Sequence, residues 1–513
     1  MHPSSHAALT PDKPAIIMVQ SGEIVTFAQL EARANRLAQL FRSLGLVKGD
    51  CIAYMVENQP LAIELAFAAA RSGLFYVPIS TRLKSDELAY VVENSDAKAF
   101  FTTASFAASA ESVQDLLPPG TALFIAGAEI AGYQTLENAI AAQPALPIGD
   151  QSEGEAFFYS SGTTGRPKGV KRPLSQAPFD SFSAFDLRVQ AAYGFEREMV
   201  YLSPAPLYHA APLTFSMTAI GFGGTLLVME KFDAEQALAA IERYRVTHSQ
   251  WVPTMFARIL KLPPEIRQAY DVSTLKLAIH AAAPCPPEIK RQMIDWWGDA
   301  IVEYYSGTEG VGLCIVGAKE WLAHPGTVGK AVSGEIHICD DDGNELPPGQ
   351  PGLIYFSGGL PFSYHGDPEK TKTAKHENGW GTLGDVGYQD EEGYLYLTDR
   401  KDFMIISGGV NIYPAETENV LINHPAVTDV AVIGVPNEEF GEEVKAIVQP
   451  ANWQDAGPEL VEALLNYCRD RLADVKCPRS VDFVEELPRL PTGKLQKKLL
   501  RAPYWAGRSS QLA

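Results

Sequence analysis

At 513 residues the chain is longer than one ordinary hydrophobic core can organise, and about two to four domains are expected. With 46% hydrophobic and 20% charged residues it has the composition of a soluble globular protein, and its formal net charge of -20 argues against a nucleic-acid partner, whose phosphates it would repel. The six cysteines (Cys51, Cys285, Cys314, Cys339, Cys468 and Cys477) form no C-x-x-C pair and no zinc spacing, which fits buried thiols in a reducing compartment and no structural metal.

The chain opens Met1-His-Pro-Ser-Ser-His-Ala7, without the basic and apolar regions of a signal peptide. Apolar residues at helical spacing then predict an amphipathic helix over Thr26–Leu44, with Thr26 as N-cap and Gly45 as its stop. A strand at Asp50–Val56, a helix at Pro60–Ser72, a strand at Leu74–Ile79 and a helix at Ser85–Asn94 follow. Glu64 and Arg71 interrupt the apolar stretch Leu61–Pro78, so no membrane span is expected, and the C-terminal Gln-Leu-Ala is not a peroxisomal address; a cytoplasmic protein is expected. Strands alternating with helices imply a parallel sheet with helices on its faces.

The apolar run Ala156–Tyr159 reads as a buried strand leading into Tyr159-Ser-Ser-Gly-Thr-Thr-Gly-Arg-Pro-Lys-Gly-Val170. Gly162 and Gly165 let backbone N–H groups turn toward an anion, Ser160, Ser161, Thr163 and Thr164 add hydroxyl donors, and Lys168 adds a point charge. The spacing is not G-x-x-x-x-G-K-[ST], so this is a different phosphate loop from that of kinase-like nucleotide hydrolases, and ATP phosphates are its expected ligand. A second α/β lobe is expected from strands at Met199–Ser203, Thr225–Met229, His248–Val252 and Leu275–Ala281. Short strands with turn signals from Gly329 to Arg400 predict a small, mostly antiparallel β unit. A compact α+β segment follows, with helices near Pro414–Ile422 and Gly457–Leu472 and strands near Val430–Val435 and Val444–Val448. The basic run Lys494–Arg501 reads as a solvated helix.

Five further segments follow the phosphate loop in order: Tyr305-Ser-Gly-Thr-Glu309, Gly384-Asp385, Thr398-Asp-Arg-Lys-Asp402, Ser407-Gly-Gly409 and Pro491-Thr-Gly-Lys494. Together they resemble the adenylate-forming (AMP-binding) superfamily of acyl-CoA synthetases, aryl-CoA ligases, amino-acid adenylation domains and luciferases. The resemblance implies an α/β fold: an N-terminal domain at 1–399 with two α/β lobes and a β-barrel-like unit near 329–399, a hinge at 400–402, and a smaller mobile α+β domain at 403–513. It also implies an AMP-forming acyl-CoA ligase using ATP, Mg2+ and CoA, which makes an acyl adenylate and then a thioester.

By the same resemblance, Lys494 bridges the α-phosphate and the substrate carboxylate, Glu309 holds Mg2+, and Thr164 and Thr308 contact phosphates. Tyr305, Ser306 and Gly307 complete the second nucleotide motif, Asp385 accepts from the ribose hydroxyls, and Arg400 donates to ribose or phosphate. Ala282, Ala283 and Pro284 lie beside adenine, where Ala281-Ala-Ala-Pro284 departs from the family's Gly-Gly-Ala-Pro and its methyl groups narrow the approach of the base. Asp402 is the implied hinge, and Ser407, Gly408, Gly409 and Phe440 line the CoA tunnel, although Phe440 reads equally as a core aromatic. The acyl pocket takes His209, Ala210, Pro212, Phe215, Met217 and Tyr304. No charged residue occurs from Tyr201 through Met229, and an unpaired substrate ammonium would be costly there, so the pocket suits a fatty, aryl or alicyclic acid. A ligase loading an acyl carrier protein, a luciferase-like oxygenase and a non-catalytic nucleotide- or acyl-binding homologue are the alternatives. Small-molecule substrates are the expected partners, and a homodimer is the expected assembly if the chain associates.

Overall fold

The computed structural model describes residues 2–160, 167–400, 403–407, 410–489 and 495–506. A short helix, Ser4–Leu9, comes first, and the next follows its sequence signals: Thr26 Oγ1 accepts from the Gln29 backbone N–H at 3.3 Å, and Gln29 Oε1 accepts from the Thr26 N–H at 2.9 Å. This reciprocal cap starts Phe27–Ser43, which buries Phe27, Leu30, Ala34, Leu37 and Phe41. Helix Pro60–Arg71 is buried almost all round. Its one buried cation, Arg71, is 0% exposed and reaches Glu31 Oε2 at 2.7 Å, so the charge is compensated where water cannot reach it.

Six strands form the first sheet, in the order Gln134–Thr135, Ala122–Ala126, Ala97–Thr103, Cys51–Met55, Phe75–Pro78 and Glu155–Ala156, with every neighbour parallel. The second sheet has thirteen strands. Its parallel part runs Pro14–Met18, Thr225–Val228, Val200–Ser203, His248–Trp251, Leu277–His280 and Ile301–Ser306. From Ile301–Ser306 onward it turns antiparallel, through Leu313–Gly317 and Thr327–Ser333 to Leu395–Arg400, Gly381–Gln389, Gly352–Ser357 and Glu335–Cys339. The expected small β unit is therefore antiparallel and hydrogen-bonded onto the second α/β sheet.

A third sheet pairs Phe158–Ser160 with Lys168–Lys171 and adds Ser363–Tyr364. In the C-terminal part, Val427–Asn437, Gly441–Pro450, Ile405–Ser407, Val410–Ile412 and Ser480–Phe483 form a separate sheet with its own core around Val430, Val432, Val444, Ala446 and Leu464.

The last helix, Lys497–Trp505, departs from the expected solvated basic run. Lys497 is only 7% exposed and pairs with Glu418 at 2.8 Å, and Arg501 pairs with Glu442 at 2.5 Å. Partner carboxylates on the C-terminal sheet and helix draw these cations inward, which composition alone does not reveal. Among the described residues no helix is long and apolar enough to cross a membrane.

Candidate active site

Strands Val200–Ser203, Leu277–His280 and Ile301–Ser306 end at one side of the second sheet, the edge at which open α/β sheets place ligands. A cleft of about 2930 Å³ opens there, bordered by the phosphate-loop hairpin, the antiparallel extension and residues of the C-terminal part. Ser160 and Lys168 are paired across the hairpin base, and the Lys168 ammonium lies 5.2 Å from the Tyr364 ring centroid. Ser161, Gly162, Thr163, Thr164 and Gly165 lie outside the described residues.

The second nucleotide motif is tied to the expected ribose aspartate by a buried hydrogen bond, in which Tyr305 Oη donates to Asp385 Oδ2 at 2.7 Å. Glu309 accepts from Tyr364 Oη at 2.9 Å and from Thr308 Oγ1 at 3.1 Å, which fixes the orientation of its carboxylate. Ser306 Oγ donates to the Gly312 carbonyl at 2.7 Å and closes the turn. A Cβ on Gly307 would lie 2.4 Å from Leu383 and 2.9 Å from the Glu309 carboxylate, so a side chain there would push both of these side-chain ends aside. Arg172 donates to the Thr308 carbonyl at 2.6 Å and couples the hairpin to this motif. Arg172 and Tyr364 were not singled out in the sequence. Arg172 directly follows the Lys-Gly-Val-Lys strand and was findable, whereas Tyr364 arrives only through pairing with Val170. Burial raises the Glu155 carboxyl to about 6, opposed by Arg172.

Ala282, Ala283 and Pro284 border the cleft, and Ala282 has φ +76, a left-handed conformation that favours glycine. The alanine substitutes in sequence while the backbone keeps a glycine-like path. Arg400 pairs through its backbone with Asp385.

The side of the cleft where the acyl pocket is expected is walled by helix Ala210–Gly221 and the sheet. Ala210, Pro212, Phe215, Met217 and Tyr304 all border it, with the Phe215 and Tyr304 ring centroids 6.0 Å apart. His209 also borders it; burial, assisted by Arg82, lowers its imidazole to about 3, so it is neutral at physiological pH, and its Nε2 has no partner. The wall is less apolar than the 201–229 stretch implies, because Asp186 enters from helix Ala184–Tyr193, which lies outside that stretch. Its carboxylate is occupied by Ser183 at 2.8 Å and by Thr218 at 3.3 Å.

In the C-terminal part Ser407 is buried, and the Arg479 guanidinium lies 4.3 Å from the Phe440 ring centroid, so Phe440 is neither bare nor a core residue. Lys494, Asp402, Gly408 and Gly409 lie outside the described residues.

Residues 4–363 match the family model described as AMP-binding enzyme, and residues 416–494 match the AMP-binding enzyme C-terminal domain. The chain belongs to the AMP-binding enzyme family. Among its AMP-binding relatives, the long-chain-fatty-acid–CoA ligase FadD13 of Mycobacterium tuberculosis is 34% identical over 503 residues, covering 98% of this chain and 97% of the relative. A feruloyl-CoA synthase of an Amycolatopsis species is 33% identical over 506 residues, covering 98% of each. Among solved structures, the ATP-bound RpMatB-BxBclM chimera B1 superposes with a TM-score of 0.82 at 30% identity, covering 99% of this chain and 100% of that one. The relatives' names as CoA ligase and CoA synthase, together with the family match, mark this AMP-binding enzyme as an ATP-dependent acid–CoA ligase.

Proposed function

We propose that the cleft activates an apolar carboxylic acid, of the fatty, aryl or alicyclic kind. The acid's carboxylate attacks the α-phosphorus of ATP to give acyl-AMP and pyrophosphate; the CoA thiol then displaces AMP to give the thioester. The observation that carries this reading is the convergence on one cleft of the Tyr305–Asp385 pair, the oriented Glu309 and the apolar wall of Phe215 and Tyr304. The relatives named for a long-chain fatty acid and for ferulate support the breadth of the acid class.

In this reading the 160–168 loop holds the β- and γ-phosphates through its N–H groups, its hydroxyls and Lys168. Asp385 accepts from the ribose, with Arg400 donating nearby. Lys494 draws the acid carboxylate and the α-phosphate together, two anions that repel without a cation between them. Glu309 suits Mg2+ held chiefly by the nucleotide. Each of its oxygens accepts one hydroxyl hydrogen bond and keeps lone pairs free, and no cluster of three metal-ligating side chains occurs among the described residues. The ion would neutralise phosphate charge there.

Lys494 would obstruct the thiol in the second step, so the 403–513 domain turns about Asp402 relative to 1–399 and brings Ser407, Gly408, Gly409 and Phe440 to the thiol's path. Lys494→Ala tests the assignment. Acyl-AMP formation, read as pyrophosphate release, should fall by about a hundredfold or more, while transfer from supplied acyl-AMP to CoA is largely kept. Equal loss of both half-reactions would sink the assignment.

A further inference from the structure

Strand His248–Trp251 carries a buried glutamine, and the strands beside it place Ile279 and Val302 on its face. The register Gln250↔Ile279↔Val302 puts these three side chains on one sheet face, and Tyr304, two residues beyond Val302, shares it. Gln250 is 6% exposed, borders the cleft, and donates from Nε2 to Tyr304 Oη at 3.2 Å. Its Oε1 has no hydrogen-bond partner.

A buried amide oxygen without a partner is costly, and Tyr304, which accepts from Gln250, still carries its own proton to donate. The pair therefore offers one acceptor and one donor. Turning the amide over makes Tyr304 the donor to Oε1 and leaves Nε2 open beside a tyrosine lone pair, which again presents one donor and one acceptor. A hydroxyl group satisfies both roles from a single atom. A carboxylate lacks the donor, and an ammonium lacks the acceptor. The surrounding wall is aromatic, with Tyr193 and Phe215 at 6.1 Å and Phe215 and Tyr304 at 6.0 Å between centroids, which suits a flat ring.

We infer that the acid activated here is a hydroxylated aromatic acid whose hydroxyl lies between Gln250 and Tyr304, so that Gln250 is a specificity-determining residue. The inference rests on the ligase reading of the same cleft and narrows its acid.

The test measures kcat/KM for pyrophosphate release with pairs of aromatic acids that differ by one hydroxyl, varied over ring position and side-chain length. It uses the wild type, Gln250→Met and Tyr304→Phe. For one hydroxyl position the wild type should favour the hydroxylated acid by about tenfold or more, because a site built to bond a hydroxyl rejects the analogue lacking it. The ratio should shrink to within about threefold in Gln250→Met and fall in Tyr304→Phe. Because each ratio is taken on one protein, any general loss of folded enzyme cancels. No hydroxyl preference at any position, or a preference that survives both substitutions, overturns the inference and leaves the ligase reading standing. Higher turnover of ω-hydroxyalkyl acids than of every hydroxyaryl acid overturns its aromatic part. Absence of pyrophosphate release with every acid overturns the ligase reading and this inference with it.

Discussion

The hydrogen bond from Tyr305 to Asp385 offers a quantitative test of how the nucleotide site is preorganised. Tyr305→Phe removes one donor and almost no volume. The bond is 2.7 Å long, its partners are 9% and 8% exposed, and its acceptor is a carboxylate, the class of hydrogen bond worth about 1.5–3 kcal/mol. Because the bond is already made in the free protein, that loss falls first on stability. ATP affinity should fall only by the cost of re-ordering an Asp385 side chain that has lost this one restraint, about 0.5–1 kcal/mol, or roughly two- to fivefold in Kd. Urea unfolding followed by tryptophan fluorescence, together with ATP titration by calorimetry, separates the two effects. A Kd raised by more than about a hundredfold at unchanged stability would refute the reasoning, since the hydroxyl would then be touching nucleotide itself. Unchanged stability and unchanged Kd would mean that the bond does not restrain Asp385.

Ala282→Gly should stabilise the protein by up to about 1 kcal/mol in urea unfolding: relief of the left-handed alanine, about 1–2 kcal/mol, exceeds the extra chain entropy of glycine, about 0.5–1 kcal/mol. A clear loss of stability would contradict the strain. Lys290 and Glu303 form a buried pair at 2.5 Å, and breaking it with Lys290→Met should cost about 3–5 kcal/mol. Burial already raises the Glu303 carboxyl and Lys290 opposes that rise, so its removal raises Glu303 further. The penalty should be greatest at neutral and alkaline pH and shrink as pH falls and Glu303 binds its proton; a pH-independent penalty would refute this. With His209 lowered to about 3, the stability gained by keeping it neutral is full above its ordinary value of 6.5 and drains as pH falls toward 3. His209→Phe should flatten the unfolding midpoint over that window, and an unaltered slope would show that His209 takes up protons in the folded state as readily as in the unfolded chain.

Local signals carried much of the fold. Thr26 with Gln29 announces a helix start in four residues, and the expected helix at Ser85–Asn94 matches the observed one. Tyr305 through Glu309 are contiguous, so the segment expected to be the second nucleotide motif is visible as a unit in the sequence. What local pattern cannot show is which distant residue completes a partner. Tyr364 reaches Glu309 because Ser363–Tyr364 pairs with the strand after the phosphate loop, and Asp186 reaches the acyl wall because helix Ala184–Tyr193 packs there. Gln250 had a visible signal, an amide inside a buried strand, but its meaning depends on the register that aligns it with Tyr304. The basic run near the C-terminus misled for the opposite reason, since the carboxylates that bury Lys497 and pair Arg501 come from sequence far upstream.

In the proposed reading, strand Ile301–Ser306 lets one cleft meet two unlike ligands. It pairs parallel with Leu277–His280 on one side and antiparallel with Leu313–Gly317 on the other. Successive residues on a strand face opposite ways, so Tyr304 packs with Phe215 on the proposed acyl side while Tyr305 packs with Phe356 and bonds Asp385 on the proposed nucleotide side. A slip of one residue would exchange the two tyrosines and destroy both sites, which makes the pairing of Tyr304 with Ile315 and of Tyr305 with Cys314 a functional register. Substitution at Tyr304 or Gln250 alters the wall that meets the acid and leaves the face that holds Asp385 intact. In the proposed reading, acid preference can therefore change while ATP recognition is retained, in keeping with relatives of similar length and identity that are named for acids as different as a long-chain fatty acid and ferulate.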